Sequence, residues 1–157
     1  AGQQVFIERA TVQDADVIRL MVIAAYAKYV ERIGREPAPM TADQHAIIAD
    51  PTQDIYVLRR CEDGKVVGSI LLSDSERDDS TLVDNLVVDP ELQGRGYGRL
   101  LMDFAHDYAR AKGRPALTLF TNEKMYENHA LYVKMGFIQV DKRVENGYHR
   151  VYFRKQL

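Results

Sequence analysis

The sequence of 157 residues contains one cysteine and no tryptophan. Because a lone thiol forms no intramolecular disulfide and a structural zinc site needs several thiolates or paired histidines, neither device is expected to hold this fold together, and no metal site is predicted. We interpret Cys61 as a free thiol in a reducing cytoplasm, since no histidine lies near it in the sequence to make it a catalytic nucleophile.

The sequence also lacks an excess of charge and a long apolar stretch. Lysine and arginine total 21 against 23 acidic residues, a net charge of −2. Proteins that bind nucleic acid normally carry a basic surplus, so no nucleic-acid partner is expected. Residues 20–27, the longest apolar run, are too few to cross a bilayer, and residues 1–5 resemble no signal peptide. We therefore expect a cytoplasmic protein without a membrane partner.

What is present is the composition of an ordinary globular protein, with 46% apolar and 28% charged residues. Residues 1–157 are expected to form a single domain, because the length suits one domain and neither a linker nor an internal repeat interrupts it. Hydrophobic periodicity and turn residues predict the order β-α-α-β-β-β-α-β-α-β-β. This order predicts a mixed sheet with helices on its faces, in the α/β or α+β class.

The segment richest in chemical content follows the predicted strand 81–88, which Asp89 and Pro90 end. Three glycines then alternate with side chains as a helix begins: Gly94, Gly96 and Gly98. Glycine lets a ligand approach the backbone, and the first amides of a helix have no intrahelical partner, so this turn is suited to a phosphate or pyrophosphate. Arg95 and Arg99 can add charge-assisted contacts. A purely structural glycine turn is the alternative.

Two familiar phosphate motifs are excluded. A dinucleotide fingerprint needs glycine at its sixth position, which is Arg99 counted from Gly94 and Leu101 counted from Gly96. A Walker loop needs Gly-Lys followed by Ser or Thr, and the sequence contains no such run.

The turn Gln93-Gly94-Arg95-Gly96-Tyr97-Gly98 resembles the Q/R-x-x-G-x-G/A motif of the GNAT superfamily of N-acetyltransferases. A second segment, residues 127–137, is similar to a helix signature of the same family. Its matching positions are Asn128, Ala130, Tyr132, Lys134, Gly136 and Phe137. The predicted element order also matches that family along nearly the whole chain, which implies a mainly antiparallel sheet of about seven strands flanked by four helices.

The resemblance implies acetyl-CoA as cofactor, bound where two neighbouring strands splay apart. The pantetheine arm would follow one strand, and the pyrophosphate would sit on the amides of residues 94–98. The implied cofactor-binding residues are Leu86, Val87, Val88, Gln93, Gly94, Arg95, Gly96, Tyr97, Gly98, Arg99, Asn128 and Tyr132. In this family a strand amide polarises the thioester carbonyl, a role that falls to Leu86 or Val87 here.

Amine acetylation needs a base, because an alkylamine is protonated at neutral pH, and an acid for the departing thiolate. The resemblance makes Tyr132 the first candidate for the acid, with Tyr126 as the alternative. Asp84 is the nearest carboxylate for the base, with Glu36 and His129 as further candidates. Many relatives carry an acidic residue where this chain has Leu82, and this departure leaves open a non-catalytic acyl-CoA-binding module.

The expected function is therefore transfer of acetyl from acetyl-CoA to a primary amine by direct attack. A small-molecule acceptor is preferred over a protein amine, and a homodimer is possible. The resemblance places the acceptor between the loop 32–40 and the hairpin around 146–150. In this region Arg32, Arg35 and Tyr29 are candidates for an acceptor carboxylate, and Glu31 and Glu36 for an amine.

Overall fold

The computed structural model describes residues 4–157, in which seven strands form one mixed sheet. The strands are β1 (Val5–Arg9), β2 (Asp54–Arg60), β3 (Val66–Asp74), β4 (Thr81–Val88), β5 (Ala116–Asn122), β6 (Ile138–Glu145) and β7 (Tyr148–Gln156). Their order across the sheet is β1-β2-β3-β4-β5-β7-β6, and every neighbouring pair is antiparallel except β4 and β5. The predicted fold class is confirmed. The interpretation of residues 1–5 falls partly on residues 1–3, which lie outside the described residues.

The helices are α1 (Ala15–Tyr26), α2 (Val30–Ile33), α3 (Gln44–Ala49), α4 (Tyr97–Ala111) and α5 (Tyr126–Lys134). A 3-10 turn, Ala27–Tyr29, connects α1 to α2. Helix α2 ends at Gly34, whose φ of 88° is the left-handed conformation that commonly terminates a helix. In the described chain no helix is long and apolar enough to cross a bilayer.

The helices cover the sheet from both sides and create two hydrophobic cores. On one side, α1 and α3 pack on β2, β3 and β4 through residues such as Ile18, Val22 and Val57. On the other side, α4 packs through Leu101 and Ala105, and Phe137 joins the same core from the turn after α5. Burial of apolar surface on both faces fixes the position of β4 in the middle of the sheet.

The pairing of β4 with β5 covers only the first three residues of β4, from Thr81↔Leu117 to Val83↔Leu119. Beyond Val83 the two strands have no further register partners, although β4 continues to Val88. The register between β3 and β4 also shifts here, since Leu71 opposes Asn85 and Leu72 opposes Val83. Asp84 is therefore the extra residue of a β-bulge, a feature that redirects a strand and re-aims its side chains.

Candidate active site

A cleft of about 530 Å³ opens where β4 and β5 part. It is bounded by these strands, the turn before α4, the end of α1, α5 and the hairpin between β6 and β7. The structure brings together the following predicted site residues as lining of this cleft: Asp84, Leu86, Val87, Val88, Gln93, Gly94, Gly96, Tyr97, Gly98, Arg99, Asn128 and Tyr132. Arg95 is the exception, because it is exposed and does not line the cleft.

The open edge of β4 presents unpaired backbone amides to the cleft. The Asp89 amide donates to the Val67 carbonyl of β3 at 2.9 Å. Because successive amides of a strand point to opposite edges, Val87 also faces β3, whereas Leu86 and Val88 face the cleft. Of the two residues considered for polarising a bound carbonyl, Leu86 is therefore the one whose amide points into the cleft.

The glycine turn leads directly from β4 into α4. Gly94 and Gly96 both have left-handed backbone conformations, with φ of 85° and 84°. Gly96 is the N-cap of the 15-residue helix α4. The first amides of the helix and the positive end of its dipole therefore lie at this turn, which lines the cleft. Gly98 lies in the first turn, where a Cβ atom would contact only Leu86 and Val88, each at 3.9 Å. The backbone here is shaped to admit an anion.

The Tyr132 side chain lies inside the cleft and packs against the rings of Phe137 and Phe153, at centroid distances of 6.1 and 5.8 Å. Burial raises the pKa of its hydroxyl to about 12, with a smaller contribution from Tyr29. Within residues 4–157 this hydroxyl makes no hydrogen bond, so it is available to a ligand. Tyr126 is instead 59% exposed, contacts Arg32 and does not line the cleft.

Asp84 lies at the point where the strands part, and it is half-buried. Burial raises the pKa of its carboxyl, and the positive charge of Arg150 opposes this rise. The other two candidates for the base do not line the cleft. Glu36 is exposed, and His129 packs on Phe153 with its Nε2 atom 3.2 Å from the Asn122 carbonyl oxygen.

Sequence reasoning missed Tyr26 as a cleft residue, because its position on an apolar stripe of α1 is typical of a core residue. Its hydroxyl donates to Asn85 Oδ1 at 3.0 Å, and burial raises its pKa. The side chain therefore lines the cleft and fixes the Asn85 amide next to Asp84. Phe120 was also missed, because the alternation of side chains in β5 does not reveal that β4 no longer pairs with this part of the strand.

The predicted acceptor region is a real junction between two distant parts of the chain. Tyr148 in the closing hairpin donates to the Glu36 carbonyl oxygen at 2.5 Å, and the Arg35 guanidinium lies 3.6 Å from the centre of the Tyr148 ring. Arg32 was considered for an acceptor carboxylate, but its guanidinium forms an ion pair with Glu127 at 2.8 Å. Among the three residues considered for the carboxylate, only Tyr29 lines the cleft.

The residues present fit a coenzyme A molecule. An extended pantetheine chain contains amides that can pair with a strand edge, and β4 offers such an edge at Leu86 and Val88. A pyrophosphate needs a concentration of backbone donors, which the turn from Gly94 to Gly98 supplies. The described chain holds no cluster of histidine, cysteine or carboxylate side chains that could bind a metal ion.

Comparison with known proteins agrees with this geometry. The sequence model of the Acetyltransferase (GNAT) family matches residues 21–137. An uncharacterised N-acetyltransferase of Methanocaldococcus jannaschii is 30% identical over 97 residues, which are 58% of this chain and 42% of that protein. A GCN5-related N-acetyltransferase structure from Rhodopseudomonas palustris has a TM-score of 0.78 at 21% identity, covering 100% of this chain and 99% of the other. An N-acetyltransferase of Thermoplasma acidophilum in complex with coenzyme A has a TM-score of 0.77 at 14% identity, with coverage of 98% and 99%.

The chain is a member of a fold class that unites a splayed central sheet with a glycine turn before a long helix. In particular, it belongs to the GNAT acetyltransferase family, as the resemblance of its two motifs implied. Acetyl-CoA is the co-substrate of this family. The chain covers less than half the length of each curated relative that it matches.

Gly96→Asp tests the glycine turn as a coenzyme A site. The new carboxylate would meet the pyrophosphate at the start of α4, so we expect the Kd for coenzyme A to rise at least about 100-fold in calorimetric titration, as expected when charge-assisted hydrogen bonds are lost.

Gly113→Asp is the matched control, because Gly113 lies just beyond the other end of α4 and also has a positive φ, 72°. It carries the same backbone strain and adds the same charge, and it should bind coenzyme A as the unaltered protein does. Equal loss of affinity in both variants would show that strain, and not the site, is responsible.

Proposed function

We propose that this protein transfers the acetyl group of acetyl-CoA to the amine of a small molecule. The observation that carries the proposal is that all the required groups border one cleft, along which the edge of β4 is open. The amides of Leu86 and Val88, the glycine turn, Asp84 and Tyr132 all border the same cleft. When bound, acetyl-CoA supplies a thioester whose carbonyl carbon an uncharged amine can attack directly.

Asp84 is the proposed general base. An aliphatic amine is protonated at neutral pH, and a carboxylate within reach of it, directly or through one water molecule, can take the proton. The bulge directs Asp84 toward the cleft, and its raised pKa makes the carboxylate a stronger base than an exposed aspartate. Asp84 thus offers the function that an acidic residue at the Leu82 position serves in many relatives.

The Leu86 amide is the proposed donor to the reacting carbonyl. A backbone N–H that already points into a site needs no reorganisation as negative charge develops on the oxygen, and one such donor is often worth about 3 kcal/mol of the activation barrier. The Leu86 side chain packs against the core that contains α4, so the strand is held in place while the amide acts.

Tyr132 is the proposed acid for the departing thiolate. Because burial keeps the pKa of its hydroxyl at about 12, the group carries its proton throughout the neutral range. The hydroxyl has no hydrogen-bond partner within residues 4–157 and is surrounded by the cleft, so a ligand sulfur in the cleft can accept from it.

The first test is acetyl transfer itself. With acetyl-CoA and a panel of primary amines, we expect free thiol to appear in step with an N-acetylated product identified by mass spectrometry. Tight binding of acetyl-CoA without thiol release for any amine would favour a non-catalytic acyl-CoA-binding module. Absence of coenzyme A binding, with binding of ATP or NAD instead, would overturn the proposal.

Asp84→Asn tests the base. The carboxyl acts only when it is deprotonated, so the rate should rise with pH through the pKa of Asp84, which burial places above the ordinary aspartate value. Asparagine cannot take a proton, so this rise should disappear and kcat should fall by about 10² to 10⁴. Glu36→Gln serves as control, and its pH profile should match that of the unaltered protein; a profile that persists in Asp84→Asn would remove Asp84 from this role.

Tyr132→Phe tests the acid. Loss of the hydroxyl should lower kcat by about 10² or more while the Kd for acetyl-CoA changes little, because the ring and its packing against Phe137 and Phe153 remain. Tyr126→Phe, which removes the hydroxyl of an exposed tyrosine outside the cleft, should leave both constants unchanged. An unchanged kcat in Tyr132→Phe would refute the assignment.

A further inference from the structure

Arg150 in β7 lines the cleft together with Asp84, and its ion pair with Glu145 is long, with 3.6 Å between Nη1 and Oε1. Its side chain is 17% exposed, and its guanidinium carbon is 4.6 Å from the centre of the Phe120 ring and 5.6 Å from that of Tyr148. Its backbone pairs with Asn122 at the end of β5, the strand that forms the wall of the cleft opposite β4.

The guanidinium of Arg150 donates no hydrogen bond to any group within residues 4–157. The nearest carboxylate oxygen in that part of the chain is Glu145 Oε1, at 3.6 Å, which is beyond hydrogen-bonding distance. Glu145 is already engaged, since Arg77 donates to its Oε2 atom at 2.7 Å and the Tyr152 hydroxyl donates to its Oε1 atom. The donors of this half-buried guanidinium therefore have no protein hydrogen-bond acceptor within residues 4–157 and are available to a ligand.

The other half-buried arginines of the described chain do not share this property. Each of them lies within 3.5 Å of a carboxylate oxygen: Arg32, Arg59, Arg60, Arg114 and Arg154. The arginines without such a partner are exposed to solvent, namely Arg19, Arg35, Arg95, Arg99 and Arg110. Among the half-buried arginines of residues 4–157, Arg150 is therefore the one whose nearest carboxylate oxygen lies beyond hydrogen-bonding distance.

We propose that Arg150 binds a carboxylate of the acceptor, so that the acceptor is an amino acid with an apolar side chain. This inference rests on the proposed acetyl transfer. A guanidinium presents paired donors that match a carboxylate bidentately. Asp84 lies within electrostatic reach of Arg150, so the two groups can receive the amine and the carboxylate of one small zwitterion.

The remaining walls of this end of the cleft explain the apolar side chain. They are formed mainly by aromatic rings and prolines, namely Tyr26, Tyr29, Pro37, Pro39, Phe120 and Tyr148. Lys28 is the other cationic residue at this end; it is exposed, and its ammonium group lies 5.0 Å from the centre of the Tyr29 ring. A carboxylate held at Arg150 thus leaves the rest of the acceptor against apolar surface.

The experiment compares acceptors that differ only at the carboxylate. L-Phenylalanine, its amide and 2-phenylethylamine share one side chain, and L-leucine with 3-methylbutylamine forms a second matched pair. We expect kcat/KM to be at least about tenfold higher for each acid than for its decarboxylated amine. The amide separates recognition of the carboxylate from amine basicity. Its amine is the least basic of the three phenyl compounds, so the largest fraction of it is uncharged at neutral pH. If amine basicity alone set the rate, the amide would be the best acceptor, whereas we expect it to be a poor one.

Arg150→Gln should remove this preference by lowering kcat/KM at least about tenfold for the acids while changing it less than about twofold for the amines. Arg150→Lys, which keeps the charge but loses the paired donors, should restore part of the preference. Arg143→Gln is the matched control: Arg143 lies opposite Arg150 in the same hairpin, is paired with Asp141 at 2.5 Å and lies outside the cleft.

Two outcomes would overturn the inference and leave acetyl transfer intact: equal rates for acids and amines in the unaltered protein, or an equal loss for both in Arg150→Gln. An equal loss would mean that Arg150 acts only through Asp84 or through the stability of the fold. Thermal unfolding of the variant distinguishes these two explanations, because only the second lowers the Tm. If no amine of any kind is acetylated, the proposed function fails, and this inference fails with it.

Discussion

The site depends on one interruption of backbone pairing, the parting of β4 and β5 after Val83↔Leu119. A strand in the middle of a sheet normally satisfies its amides on both sides, and an open edge within a sheet is a costly exception. Here the exception leaves Leu86 and Val88 with amides directed at a cleft. The same parting brings the glycine turn to one end of that cleft and Asp84 to the other.

Packing on both sides of the sheet keeps the strands apart. Val87 belongs to the core beneath α1 and α3, whereas Leu119 belongs to the core beneath α4. Gly98 of α4 lies close to the side chains of Leu86 and Val88, so the helix supports the free half of β4 from behind. The cleft can therefore be open and yet well defined, which a site requires if donors are to be in place before a ligand arrives.

The bulge at Asp84 connects this architecture with chemistry. In a regular strand, alternation would fix which face each side chain takes, and the extra residue breaks that alternation where the two strands part. The carboxyl then enters a half-buried place next to Arg150 and to the Asn85 amide that Tyr26 holds. A carboxylate with a raised pKa, a guanidinium that donates no hydrogen bond within residues 4–157 and apolar rings thus border the same cleft.

The sequence was sufficient for the sheet and the glycine turn, because hydrophobic alternation, Asp-Pro stops and closely spaced glycines act over short distances. It predicted β4 with the observed bounds and the glycine turn that leads into α4. It could not reveal Arg150 or Tyr26, whose roles depend on which strands and helices meet across the cleft. Arg32 illustrates the same limit, since its ion pair with Glu127 joins residues far apart in the chain.

The most direct measurement of the central claim is residue-resolved amide hydrogen exchange with and without coenzyme A. We expect coenzyme A to slow exchange at Leu86 and Val88, whose amides face the cleft. Val87 should change little, because β3 already protects its amide. Unchanged exchange at Leu86 and Val88 in the bound protein would contradict the account that the open edge of β4 receives the ligand.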